Sequence, residues 1–258
     1  MKKLIYQVYL GNRSKLYDFC TNSVKEYAEK IGADYICQTK PILRIAPDPF
    51  MNQREGKTGG WKKLGYLPIL EKENSWNHFK NYDFCCIIDA DIYIKPETPD
   101  IFNYHNGYTV SSVYECDMPI TEQHAAKIKS YSNMVQLFNM NWPYKNKTGY
   151  DFFNSGVLMY NCKNMLERLK GMSPEEFLRQ PIFMDLINGI GPFKWQSEQM
   201  LLNYWFRKEN IEVQRLEWKW NTLYTAVNNP KEGYFIHFFL RDHLPDNGEN
   251  IEELVKTL

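Results

Sequence analysis

The stretch Tyr82-Asp83-Phe84-Cys85-Cys86-Ile87-Ile88-Asp89-Ala90-Asp91-Ile92-Tyr93-Ile94-Lys95-Pro96 constrains this chain more than any other. Five apolar residues in a row, from Phe84 to Ile88, read as a strand buried on both faces, the kind found inside a parallel sheet. The run ends in two carboxylates one residue apart, and Pro96 stops the apolar segment that follows. Side chains alternate along a strand, so Asp89 and Asp91 face the same side if the chain stays extended. Two carboxylates held together at the end of a core strand are costly unless a cation sits between them. Mg2+ and Mn2+ prefer oxygen ligands and commonly share one or two carboxylates with substrate phosphates. Asp-x-Asp is short and common, so on this stretch alone a metal–diphosphate site stands beside an ordinary strand-to-turn boundary capped by acids.

What precedes the stretch fits an α/β sheet. Residues 4–10 form a strand closed by Gly11-Asn12, and Ser14 is placed to cap a helix. The apolar residues Leu16, Phe19, Cys20, Val24, Tyr27, Ala28 and Ile31 have helical spacing, Gly32 ends the helix, and residues 34–38 form a second strand. Strand, helix, strand within forty residues is a βαβ unit with parallel strands. Residues 39–60, punctuated by Pro and Gly, read as a long loop of the kind that orders over a ligand. Arg54, Lys57, Lys62 and Lys63 make its end basic, either as a solvated flank or as a phosphate contact. A helix is expected over 61–73, bent or interrupted at Pro68.

Downstream, strands are expected over 108–113, 152–161, 211–216 and 234–239, helices over 121–138, 174–180, 197–206 and 251–258, and a loop over 141–150. No repeat, low-complexity block or linker interrupts the chain. The alternation argues one α/β domain over residues 1–258, with a mostly parallel central sheet, antiparallel additions and helices on both faces.

Lys and Arg balance Asp and Glu at 31 each, which weakens any reading as a general nucleic-acid or acidic-membrane binder. Aromatic residues are 16% of the chain; such rings fill cores and also make platforms for sugars and bases. No apolar run approaches the roughly 18 residues of a membrane span. Met1-Lys2-Lys3 leads straight into a strand, without a secretion signal, and the six Cys lack a Cys-x-x-Cys pair. The expectation is a cytoplasmic protein with free, mostly buried thiols and unused sequons at Asn12 and Asn146.

Four short signals follow in order: Ile-Ile-Asp89-Ala-Asp91, Phe-Phe-Asn154-Ser155-Gly156-Val, Ser-Glu198-Gln199-Met-Leu-Leu-Asn203 and Tyr-Phe-Ile-His237-Phe. Together with the βαβ start, the chain resembles nucleotide-sugar glycosyltransferases of the GT-A fold, over about residues 4–239. It is most similar to the retaining family that includes glycogenin and bacterial galactosyltransferases, and to small glycosyltransferases of large DNA viruses, which share an opening like Tyr-Gln-Val-Tyr-Leu-Gly.

The resemblance implies a Rossmann-like donor half over about residues 1–115 and an acceptor and catalytic half over about 116–258. It implies that Asp89 and Asp91 hold Mn2+ or Mg2+, with Asp89 also reaching the ribose, and that His237 closes the metal shell. A lone His in an apolar strand reads otherwise as a satisfied core residue. Asn154 and Ser155 would line the sugar pocket, Glu198 and Gln199 would lie near the anomeric carbon, and Tyr9 and Gly11 would lie near uracil and ribose. The family's Gly-x-x-Lys after the His is missing here, since Leu240 and His243 stand in those places. The diphosphate contact then moves to Arg241 or Lys63, or to the metal.

The implied reaction is transfer of a sugar from a UDP-sugar to a hydroxyl acceptor on a glycan or protein, with retention. Gln199 or Glu198 would stabilise the anomeric centre, and an inverting enzyme would use Asp117, Asp151 or Glu198 as base. Two other readings stay open. One is a phosphatase-type hydrolase using Asp89 and Asp91; the other is a noncatalytic carbohydrate-binding protein.

Overall fold

The computed structural model describes residues 1–54, 64–133, 140–195 and 198–258. β1 (Lys3–Val8), α1 (Lys15–Lys30) and β2 (Asp34–Gln38) form the expected βαβ unit, with β1 and β2 paired in parallel from Leu4↔Asp34 to Val8↔Gln38. A 310 helix, Pro68–Asn81, leads into β3 (Phe84–Ile88) and β4 (Ile92–Ile94). β5 (Val110–Tyr114), α2 (Glu122–Ser132), a hairpin of β6 (Tyr144–Lys145) and β7 (Gly149–Tyr150), and β8 (Phe153–Asn161) follow. Next come α3 (Cys162–Leu169), α4 (Pro174–Leu178), α5 (Met184–Asn188) and α6 (Glu198–Lys208). The chain finishes with β9 (Val213–Arg215), β10 (Thr222–Leu223), β11 (Phe235–His237) and α7 (Ile251–Val255).

The central sheet has the order β2-β1-β3-β8-β5-β9. β8 is antiparallel to both its neighbours, β3 and β5, and the other pairings are parallel, so five of the six strands run one way. Period-2 alternation divides the core between the two faces. Leu4, Tyr6, Cys85, Ile87, Leu158 and Tyr160 pack against the 310 helix and α3 to α6. Ile5, Cys86, Ile88, Val157 and Met159 pack against Val24, Tyr27 and Ala28 of α1 and Ala125 and Ile128 of α2. Each fully buried Leu, Ile, Val or Met among them contributes about 1.5–3 kcal/mol. A small sheet, β10-β11-β4, carries the last strand back to the turn after β3.

Several elements depart from the pattern read in the sequence. The helix expected over 61–73 is interrupted before Pro68: Leu64 is helical, residues 65–67 are not, and Pro68 opens a 310 helix that runs past 73, where its missing N–H leaves no bond unmade; residues 61–63 lie outside the described residues. The described part of the expected lid, residues 39–54, has no regular structure, yet it is anchored. The Glu71 carboxylate accepts the N–H groups of Ile42, Leu43 and Arg44, Asn188 Oδ1 accepts Asp48 N–H, and the buried Arg54 donates to the carbonyls of Leu186 and Ile187. Residues 141–150 hold the β6–β7 hairpin instead of a plain loop.

Ser14 occupies the N-cap of α1 without capping it. Its hydroxyl donates to Glu249, whose other carboxylate oxygen accepts Lys15 N–H, so an acid near the C-terminus does the capping. α3 is capped by Asn161, whose side chain accepts Asn164 N–H.

Candidate active site

β3 stops at Ile88, and Ala90 and Asp91 form a turn, so the two carboxylates converge through that turn and not through strand alternation. Asp89 N–H donates to Gly156 O at 2.9 Å and Ile92 N–H to Asp89 O at 3.2 Å, which pins the turn to β8. β11 then pairs antiparallel with β4 in the register His237↔Ile92, and Phe238 N–H donates to Asp91 O at 2.9 Å. That register brings a residue almost 150 positions away beside the aspartates. His237 Nε2 lies 3.2 Å from Asp91 Oδ1 and 3.8 Å from Asp89 Oδ2, and one ligand atom from each of the three lies within 4.8 Å of the others.

The imidazole orientation follows from a chain of hydrogen bonds with an unambiguous start. Gly156 N–H can only donate, and it donates to Asn154 Oδ1 at 2.8 Å. The same oxygen accepts Asn221 Nδ2 at 2.8 Å, which leaves Asn221 Oδ1 to accept from His237 Nδ1 at 2.9 Å. His237 therefore carries its proton on Nδ1 when neutral, and its Nε2 lone pair faces Asp89 and Asp91.

A second network runs beside the first. Lys72 of the 310 helix bridges Asp89 and Glu198, with Nζ 2.7 Å from Glu198 Oε1. Ser155 Oγ donates to the same Glu198 oxygen at 2.9 Å. Gln199 Oε1 accepts Ser155 N–H at 2.9 Å, and its Nε2 donates to Glu115 Oε1 at 3.2 Å, where Asn154 Nδ2 also donates at 2.7 Å. Lys72, Glu115 and Asn221 were not singled out in the sequence. Lys72 stands between Glu71 and Glu73 and reads there as part of a solvated face, and nothing local marks it.

The charges explain what the cluster accepts. Burial raises the Asp89 carboxyl above the usual carboxylate range, with Lys72 opposing. Burial pushes Asp91 upward too, but the adjacent His237 outweighs it and leaves Asp91 low. Burial disfavours the imidazolium, yet Asp91 raises His237 above its ordinary value. Burial likewise opposes the Lys72 ammonium, and Asp89 and Glu198 together hold it above its ordinary value. Two carboxylate oxygens and an oriented imidazole nitrogen at this spacing form a donor set that fits a divalent cation.

A cavity of about 420 Å³ opens over this cluster; Tyr9, Tyr17, Lys72, Asp89, Asp91, Asn154, Ser155, Glu198, Gln199 and His237 line it. Gly11 lies beside it, in an adjoining groove with Tyr9, at a φ of +99°. Arg241 is outside this lining: its Nε donates to Asn247 O at 2.6 Å and its Nη2 pairs with Glu249. Lys63 lies outside the described residues. Asp117 and Asp151 both pair with Arg215 and are absent from the cavity wall, so of the three acids expected as alternative bases Glu198 alone lines it.

No protein-family model matches the sequence, and no curated protein matches it by sequence. Solved structures do match by shape. A glycosyltransferase involved in glycosylation of the major capsid of PBCV-1 aligns with a TM-score of 0.58 at 13% identity, over 98% of this chain and 100% of that one. The galactosyltransferase LgtC, solved with donor and acceptor sugar analogs, aligns with a TM-score of 0.52 at 15% identity, over 99% and 96%. Mouse xyloside xylosyltransferase 1 aligns with a TM-score of 0.51 at 11% identity, over 95% and 100%. At such identities the likeness is one of fold. The chain has the GT-A fold, shared along nearly its whole length with these glycosyltransferases.

Proposed function

We propose that this chain transfers a sugar from a UDP-sugar to a hydroxyl group on a glycan or protein, and that Asp89, Asp91 and His237 hold Mn2+ or Mg2+ against the donor diphosphate. The observation that carries this reading is the His237 Nε2 lone pair, turned toward two carboxylates by Asn221 inside a cavity of this fold. The bound cation supplies Lewis-acid stabilisation of the charge that develops on the departing diphosphate. An imidazole among oxygen ligands favours Mn2+ over Mg2+.

The chain's own residues do the rest. Lys72, between Asp89 and Glu198, sets a positive charge where phosphate and sugar meet and stands in for the lysine missing after His237. Asn154 and Ser155 form the floor of the sugar subsite, Tyr9 and Tyr17 offer ring surface to the base, and Gly11 gives the turn beside it. Gln199 is locked by Ser155 and Glu115, so its amide is preorganised near the anomeric carbon. Glu198 already accepts from Lys72 and Ser155, which makes it a stabiliser of positive charge more than a free base. This supports retention, with the departing phosphate taking the acceptor proton. Residues 1–115 then serve the donor and 116–258 the acceptor.

A thermal-shift series with nucleotides and nucleotide-sugars, with and without Mn2+, tests the reading. The expected result is stabilisation by UDP or a UDP-sugar only when Mn2+ is present, followed by UDP release and a retained anomeric configuration by NMR. Absence of any nucleotide-dependent shift with Mn2+ would overturn it. Phosphate release from simple phosphoesters, without need of a nucleotide, would favour the hydrolase.

A further inference from the structure

We propose that the segment from Lys40 to Met51, with Leu64 beside it, is an interfacial contact for an anionic lipid bilayer. Among the described residues ten large hydrophobic side chains are exposed, and Ile42, Phe50, Met51 and Leu64 are four of them. Phe50 is 98% exposed, which no packing role explains.

The tip is built to hold that side chain out. Asp48 Oδ1 accepts the N–H groups of Phe50 at 2.8 Å and Met51 at 3.2 Å, and Asp48 N–H is itself tied to Asn188 Oδ1 at 2.7 Å. Upstream the chain alternates, with Leu43 and Ile45 buried and Lys40, Ile42 and Arg44 exposed. Glu71 clamps the amides of 42–44, and Leu67 N–H, three residues after Leu64, donates to Ile45 O at 2.8 Å, which ties the stretch to the chain that follows Leu64.

Charge identifies the occupant. Lys40 and Arg44 are exposed on either side of the exposed Ile42, and residues 40–51 carry these two basic residues against one acid, Asp48, whereas the whole chain is balanced at 31 against 31. Exposed basic and apolar side chains that interleave along residues 40–44 suit phosphate headgroups above acyl chains. Phe50 projects singly, and a bilayer interface accepts a lone protruding ring without a preformed complementary groove. Among the described residues no helix is long and apolar enough to cross a membrane, so the contact is peripheral. Pro68 and Ile69, a few residues beyond Leu64, line the aspartate cavity, so docking would set its mouth near the membrane surface.

Co-sedimentation of the full chain with phosphatidylcholine vesicles, and with vesicles containing about one third phosphatidylglycerol, tests this independently of any transferase activity. Binding is expected to the anionic vesicles, to weaken as salt rises, and to be slight on neutral ones. Phe50→Ser with Met51→Ser should lower the partition coefficient at least tenfold. Lys40→Gln with Arg44→Gln should lower it roughly 30-fold, as two lost headgroup charges imply. Both variants should keep the wild-type circular dichroism melt, since these side chains are exposed. No binding to anionic vesicles, or binding untouched by both variants, overturns the proposal. So does a dimer in light scattering that Phe50→Ser with Met51→Ser dissociates, because a second copy would then be the occupant.

Discussion

Gly156 lies directly against the ring of His237: a Cβ built on Gly156 would come 2.6 Å from Cε1 and 2.7 Å from Nδ1. Such distances are below any real carbon contact, so any larger residue at 156 must displace the imidazole. The glycine is required here by close approach and not by backbone conformation. Gly156→Ala should therefore leave a folded protein whose Mn2+ affinity has dropped at least tenfold. Calorimetric titration of Mn2+ checks it, and an unchanged affinity would mean that His237 is no ligand.

Asn221 would act on a bound metal through His237. Asn221→Ala removes the acceptor that keeps the proton on Nδ1, and partners of this kind are worth 10- to 100-fold in metal affinity. The same titration should show a loss in that range. His237→Ala should cost more affinity while the metal-free melt stays near wild type; a melt lowered equally with and without metal would identify a core histidine instead.

Lys72 separates Asp89 from Glu198. Lys72→Met should lower metal-free stability by roughly 3 kcal/mol, because two partly buried carboxylates are left without their cation. Mn2+ should then restore more stability to the variant than it adds to the wild type. Denaturant melts with and without Mn2+ give both numbers, and a wild-type metal-free midpoint would show that the bridge contributes little.

His124 of α2, one ring removed from His237 across Phe239, sets an acid limit. Burial lowers its pKa to about 4, Lys127 and His243 push the same way, and the ring packs edge-on against Phe239. The folded state thus binds the proton later than the unfolded chain, whose His titrates near 6.5. This neutral ring favours folding above about pH 6.5, and its contribution is lost as pH falls from there toward 4. His124→Gln should flatten the melting temperature across that window relative to wild type. Parallel slopes in the two proteins would assign the acid limb to other groups.

Much of the fold was legible because it follows local rules. The five-residue apolar run of β3, the α1 stripe and the apolar run that ends β8 each report burial through composition and spacing of sequence neighbours alone. The misread segments are those where a distant partner overrides the local signal. Glu249 replaces Ser14 as the cap of α1, an exchange that no residue near Ser14 signals.

The sequence by itself determined that two carboxylates end a buried strand, that Asn154, Ser155, Glu198 and Gln199 stand at the starts of regular elements, and that His237 lies in an apolar strand. Only the tertiary structure decided what these residues do to one another. The β11–β4 register sets His237 beside Asp91, Asn221 selects its tautomer, and Lys72 bridges Asp89 to Glu198. The reason is physical. Strand and helix periods are properties of neighbours in sequence, whereas register, tautomer and charge pairing depend on groups tens to more than a hundred residues apart that meet only when both faces of the sheet are closed.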